Sequence, residues 1–142
     1  MVLLSRTRDG NPRGSYVKPI ILIVDDEADL ISVLQDAIDV SLPGYRAVGS
    51  TSVDDAEDTL RELGGQAELS LVCTDHRLGG RTGLEFLEDL RRRYPDVPSV
   101  LFTGQASARD EARAREVGAR VLWKPLRLSS WLQEIQALLA SA

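Results

Sequence analysis

Five side chains able to handle a phosphoryl group or a divalent cation stand where apolar runs end in this chain. Asp25 and Asp26 follow "PIILIV" (19–24), Asp75 follows "LSLVCT" (69–74), Thr103 closes "PSVLFT" (98–103), and Lys124 follows "ARVLW" (119–123). Aspartate is depleted in strands and costly to bury without a partner, so Asp75 at the lip of a core strand calls for a reason. Each residue has a plain reading of its own: a helix cap, a turn, a solvated lysine. The set is harder to dismiss, since Lys124 is one of only two lysines beside fifteen arginines. Three carboxylates held close repel one another, and without a cation at least one stays protonated. Mg²⁺ resolves this, because it binds through one or two carboxylates and keeps positions for a phosphate. A lysine ammonium is a compact point charge suited to phosphoryl oxygens. Thr103 can donate a hydrogen bond to the same group, and Gly104 leaves the approach uncrowded. Together they supply a nucleophile, a metal site and positive charge, the needs of in-line phosphoryl transfer to a carboxylate.

The elements that must position these residues alternate along the chain. "PIILIV" is a continuous apolar run suited to a strand covered on both faces. The next helix carries Leu30, Ile31, Leu34 and Ile38 on one stripe, with Asp26 as its cap and Pro43 and Gly44 as its stop. "YRAVGS" (45–50) is a weaker strand. "TSVDDAEDTLREL" is a helix capped by Ser52 or Thr51 and closed by Gly64 and Gly65. After "LSLVCT" comes a helix with Leu84, Leu87, Leu90 and Tyr94 on one face. "SARDEARAREV" is a polar fourth helix in which Ser107 and Asp110 resemble a capping box, with Ala108, Ala112 and Val117 as its packing groups. The last helix carries Leu128, Trp131, Leu132, Ile135, Leu138 and Leu139. Five strands alternating with five helices predict an α/β domain with a mainly parallel sheet and helices on both faces. Sites in such sheets lie beyond the carboxyl ends of the strands, where all five residues emerge.

Composition narrows the function further. A chain of 142 residues accommodates one ordinary domain. Residues 1–17 lack periodicity and read as a flexible tail, leaving 18–142 as the domain. Arg6, Arg8, Arg13 and Lys18 against Asp9 give the first 18 residues a balance of +3, and the remaining 13 basic and 21 acidic residues give −8. So acidic a domain would repel a phosphate backbone, which argues against direct nucleic-acid binding. No apolar run approaches a membrane span, and the short "MVLL" start lacks the core of a secretory signal, so a cytoplasmic location is the default expectation. Cys73, the single cysteine, reads as a small core residue.

"ILIVDDEADL", "LVCTDHRLGGRTGLEFL", "VLFTGQAS" and "ARVLWKPL" resemble the receiver domain of two-component response regulators over about residues 19–140. The resemblance implies a doubly wound, flavodoxin-like three-layer fold with a five-stranded parallel sheet of order 2-1-3-4-5. It makes Asp75 the phosphoacceptor, Asp26 a direct Mg²⁺ ligand, Asp25 a ligand acting through water, and the backbone carbonyl of Arg77 the third protein ligand. Thr103 becomes the switch hydroxyl and Lys124 the lysine that pairs with the phosphoryl group, with a cis bond to Pro125. The implied partners are a histidine kinase or histidine phosphotransfer protein, and an output domain or partner protein at the face of the fourth helix, last strand and last helix. The implied catalysis is limited to phosphorylation and hydrolysis at Asp75. Two departures stand out: Gly79 replaces the proline often found four residues after the acceptor, and Val121 replaces the usual Tyr or Phe three residues before the lysine. A valine cannot make the inward ring rotation of that aromatic, so a different coupling route is expected, with Trp123 the nearest aromatic on the same face.

Two other readings compete. A pseudo-receiver would bind partners without phosphorylation, but all five site residues are present. A Mg²⁺-dependent phosphatase working through an aspartyl phosphate would want an acid two residues after its nucleophile, where this chain has Arg77. His76 reads as a polar loop residue without chemistry, and "RRRYP" (91–95) as a solvated helix end where arginines suit the negative dipole terminus. A chain of this length leaves no room for an output domain, so it reads as a stand-alone receiver or one cut from a larger regulator or hybrid kinase.

Overall fold

A computed structural model of the protein describes residues 18–64 and 68–141. The tail expected over residues 1–17, and Gly65 as a helix stop, lie outside the described residues. Ten elements alternate: β1 (Ile20–Val24), α1 (Ala28–Ser41), β2 (Arg46–Ser50), α2 (Val53–Leu63), β3 (Leu69–Asp75), α3 (Gly83–Arg93), β4 (Ser99–Thr103), α4 (Ala108–Glu116), β5 (Arg120–Trp123) and α5 (Leu128–Ser141). The strands form one parallel sheet in the order β2-β1-β3-β4-β5, the doubly wound topology that the resemblance implies.

Two cores result, one on each face of the sheet. Ile20, Leu22 and Val24 of β1 pack towards α2, α3 and α4, while Ile21 and Ile23 pack towards α1 and α5. A strand covered on both faces needs apolar residues at every position, which is why β1 reads as an unbroken run. In β3 the phase of this alternation shifts. Ile20 pairs with Leu69 but Ile21 pairs with Leu71, so Ser70 is an extra residue opposite one step of β1. Beyond this bulge Val72 joins the α2–α3–α4 core, and Leu71 and Cys73 join the α1–α5 core. Burial pushes the Cys73 thiol pKa up, so it remains a protonated, inert core group.

Helix caps refine the expected boundaries. Ser52 caps α2 by accepting from the Asp55 N–H at 3.0 Å, and Gly64 closes it in the left-handed region at φ 53°. Thr82 and Glu85 form a full capping box at the start of α3, a T-x-x-E signature passed over in the sequence. Asp26 does not cap α1. Glu27 occupies that position without a side-chain cap bond, and its N–H instead donates to Asp25 at 2.7 Å. The chain leaving β1 thus turns towards the sheet edge, carrying both aspartates with it, before the helix begins.

Two helix faces also differ from expectation. On α4 the fully buried side chain is Ala114, while Ala108 and Ala112 are exposed. The helical period sets Ala114 and Val117 together on the inner face, three residues apart. Burial of one methyl group contributes only about 0.8 kcal/mol, so α4 rests largely on polar ties. Arg113 forms a two-pronged pair with Glu88 of α3 (2.7 and 3.2 Å), and Arg91 donates to the Val117 carbonyl. On α5, Trp131 and Ile135 are buried, but Leu128 is 41% exposed at the helix start. The arginines of "RRRYP" are engaged as well as solvated: Arg92 pairs with Asp89, and Arg93 reaches Glu57 of α2 at 2.8 Å.

Candidate functional site

The carboxyl ends of β1, β3, β4 and β5 converge at one edge, and Lys124 is the group that joins them. Its Nζ lies 2.9 Å from Asp25 and 3.3 Å from Asp75, partners 99 and 49 residues away in sequence. Glu27 stands a further 3.6 Å from the same nitrogen. The ammonium also sits over the ring of Phe102, 5.3 Å from its centroid, and Phe102 pairs with Asp75 across β3 and β4. Burial works against a charged lysine, but the bonds and charges of Asp25 and Asp75 outweigh it and hold the Lys124 pKa above its usual value. The peptide bond from Lys124 to Pro125 is cis, as the resemblance implies.

Asp25 is wholly buried and Asp75 nearly so, whereas Asp26 is exposed. Desolvation raises the Asp25 pKa, opposed by the Glu27 N–H and by Lys124, and the Asp75 charge pushes it further the same way. One carboxylate oxygen from each of Asp25, Asp26 and Asp75 lies within 4.8 Å of the others. Crowded hard oxygens, one of them on an exposed side chain, fit a small divalent cation of the Mg²⁺ kind.

The two oxygens of Asp75 have different neighbours. Oδ1 accepts the His76 N–H at 2.7 Å, and Oδ2 faces Lys124. Beneath them the start of α3 presses on the strand end. The Gly83 N–H donates to the His76 carbonyl at 2.9 Å, and a Cβ on Gly83 would lie 1.9 Å from the Asp75 carbonyl oxygen. Glycine is required there because no side chain fits against that backbone.

Thr103 lies at the end of β4, and its hydroxyl is engaged by Gln105. It donates to the Gln105 carbonyl at 2.8 Å and accepts the Gln105 N–H at 3.0 Å. Arg77 is exposed in the loop after β3. Gly79 in that loop has φ +82°, a conformation proline cannot adopt, so a proline would not fit this turn as it stands. Val121 is partly buried on the α2–α3–α4 side, and Trp123 is 46% exposed.

His76, expected to be a polar loop residue without chemistry, is buried in the loop after β3. It is 7% exposed, its Nε2 lies 3.3 Å from Asp110 of α4, and its Nδ1 has no hydrogen-bond partner among the described residues. Burial would raise the Asp110 pKa, but hydrogen bonds from Ser107 and the charges of His76 and Arg113 hold it below its usual value. No local signal reveals this contact, because Asp110 belongs to α4, with α3 and β4 intervening in the chain.

A doubly wound α/β sheet with carboxylates and a lysine gathered at its carboxyl edge defines a class, and comparison with known proteins identifies it. The family model "Response regulator receiver domain" matches residues 21–136, and the chain belongs to that family. It is therefore a receiver domain of the two-component signalling systems, a family that binds Mg²⁺ at an acidic pocket. The non-phosphorylated HemR receiver domain from Leptospira biflexa is 28% identical, with a TM-score of 0.74 over 86% of this chain and 94% of that one. A CheY-like receiver from Methanospirillum hungatei JF-1 shares the fold at a TM-score of 0.78, with 21% identity over 88% of this chain and 96% of that one. The uncharacterized transcriptional regulatory protein YkoG of Bacillus subtilis is 32% identical over 120 residues, which are 84% of this chain and 50% of YkoG. The chain thus spans about half the length of that curated relative. None of the described helices is long and apolar enough to cross a membrane.

Proposed function

We propose that residues 18–142 form a phosphoacceptor receiver unit in which Asp75 takes a phosphoryl group from a histidine kinase or histidine phosphotransfer protein. The observation that carries this reading is the meeting of Lys124 with Asp25 and Asp75 at the sheet edge, beside the three-carboxylate cluster. In the transfer, an Asp75 oxygen bonds to phosphorus as the donor's P–N bond breaks. The electron pair of that bond stays on the histidine nitrogen, and Asp75 becomes an acyl phosphate. Lys124, already within 3.3 Å of Asp75, supplies positive charge to the phosphoryl oxygens. Asp25, Asp26, Asp75 and the Arg77 backbone carbonyl would hold Mg²⁺, which when bound neutralises charge on the transferred group. Thr103 exchanges its bonds with Gln105 for one with the phosphoryl group, which makes it the switch. Water later cleaves the acyl phosphate, so catalysis is confined to the protein's own aspartate. The exposed Trp123 and Leu128 support an output domain or partner protein at the α4–β5–α5 face.

Incubation with acetyl phosphate and Mg²⁺, followed by intact mass measurement, tests the proposal. One added phosphoryl group that is absent from Asp75→Asn is the expected result. No uptake by the wild type would leave a partner-binding pseudo-receiver, and repeated turnover on small phosphate esters would indicate a phosphatase.

A further inference from the structure

His76 stands at a junction that no other residue in the site occupies. Its N–H donates to the acceptor oxygen of Asp75, its carbonyl accepts the first N–H of α3, and its ring reaches Asp110 in the first turn of α4. The ring is buried with Nδ1 unpartnered among the described residues. A ring kept for packing alone would carry no reason for that orphaned polar atom. The contact it does make is to α4, the helix with a single fully buried side chain. The other polar ties of α4, Arg113 to Glu88 and Arg91 to the Val117 carbonyl, run to the body of α3. Among the described residues, the Asp110–His76 contact is the side-chain tie from α4 that runs to the end of β3, where Asp75 sits. Val121 meanwhile offers no ring to carry a signal along β5.

We propose that Asp110 is a positioning residue acting through His76, and that this contact carries the state of Asp75 to α4. The inference rests on the reading of Asp75 as phosphoacceptor. When Asp75 gains a phosphoryl group, the oxygen bonded by the His76 N–H changes charge and position, and the main chain of His76 moves with it. The ring then transmits that displacement to the first turn of α4, a helix light enough in its packing to respond. Coupling of this kind is reciprocal, so loss of the link also alters how firmly the site holds a phosphoryl analogue.

The test compares the intact chain with Asp110→Ala, Asp110→Asn and His76→Gln. Asp110→Ala keeps the bond from the Asp110 backbone N–H to the Ser107 hydroxyl but also removes the side-chain bonds from Ser107, so Asp110→Asn, which keeps an acceptor oxygen for them, serves as the control for the helix start. Two measurements are made with and without beryllofluoride and Mg²⁺: hydrogen exchange of α4 amides, and beryllofluoride affinity. Phosphoryl uptake from acetyl phosphate is followed in parallel. The wild type should show an α4 exchange change on the order of 5-fold or more on activation, absent from Asp75→Asn. Asp110→Ala should take up phosphoryl yet lose the α4 change, and Asp110→Asn, which keeps an oxygen facing Nε2, should restore much of it. His76→Gln should weaken the α4 change by a similar factor. If Asp110→Ala shifts α4 exchange equally in both states, the contact is only structural and the proposal falls. An unchanged α4 response in the variants overturns it too. Absence of Asp75-dependent uptake in the wild type would overturn the phosphoacceptor reading and this inference with it.

Discussion

Gly83→Ala is a substitution whose sign separates this packing from ordinary helix behaviour. In a solvent-facing helix, alanine in place of glycine stabilises by up to about 1 kcal/mol. Here a Cβ would lie 1.9 Å from the Asp75 carbonyl oxygen, 2.8 Å from its carbon and 3.0 Å from the Thr74 hydroxyl. Ordinary contacts need roughly 3.5 Å, so α3 and the end of β3 must separate by more than about 1 Å. The nearest obstacles are backbone, which no side-chain rotation can clear. Overpacking of this kind costs about 1–3 kcal/mol. The separation also strains the 2.9 Å bond from Gly83 to the His76 carbonyl, worth about 1 kcal/mol. Set against alanine's helix preference, a net loss of about 1–3 kcal/mol remains. Urea unfolding followed by far-ultraviolet circular dichroism measures it directly. With a slope of about 2 kcal/mol/M, the midpoint should fall by about 0.5–1.5 M at unchanged slope. Phosphoryl uptake should fall as well, since the strained bond ends on the residue that holds an Asp75 oxygen. A variant as stable as the wild type, or more so, would refute the close approach of α3 to the acceptor.

Gly49→Ala should cost less than Gly83→Ala in the same unfolding assay, because its Cβ would meet the Cγ2 of Ile31, a side-chain atom able to shift. Lys124→Ala should slow uptake from acetyl phosphate by about 100-fold or more, by removing a charge aimed at the transferred group. Lys124→Arg should fail to restore the rate, since a broad planar guanidinium cannot replace a point charge between two carboxylates, and restoration would count against that role. For Asp89, burial would raise the pKa, but hydrogen bonds from Arg92 and Arg81 hold it below its usual value. A carboxyl lowered in the folded state stabilises above its ordinary pKa, near pH 4, and loses that contribution as pH falls through the lower folded value. Acid unfolding should therefore show the wild type and Asp89→Asn furthest apart above about pH 4 and converging below it, and parallel curves would remove Asp89 from the account.

Much of the site was legible because its residues sit at fixed distances from apolar runs. Asp25, Asp26, Asp75, Thr103 and Lys124 each follow a run whose length and composition mark a strand end, and a parallel sheet sends all such ends to one edge. Legibility failed where a residue's partner comes from another element. The Asp26 cap failed because Asp25, its neighbour, bonds the Glu27 N–H instead. The α4 face was misassigned because a helix with few apolar groups gives its period little to show, and Ala112 and Ala114 look alike until one is buried. His76 was passed over because the ring's contact is with a helix more than thirty residues away.

The chain's order and local chemistry were enough to determine ten elements, a parallel sheet, and the edge at which charged groups gather, since hydrophobic period, caps and breakers act over a few residues. Tertiary structure alone decided which of those groups meet. The bulge at Ser70 sets the phase of β3, and an apolar run such as Leu69 to Cys73 reads the same in either phase. Lys124 bridges two carboxylates only because β5 lies beyond β4 in the sheet, and Thr103 bonds Gln105 rather than Asp75 through the turn that follows β4. That Gly83 must be glycine follows from the backbone of Asp75 lying against it, a contact between segments that local sequence does not encode.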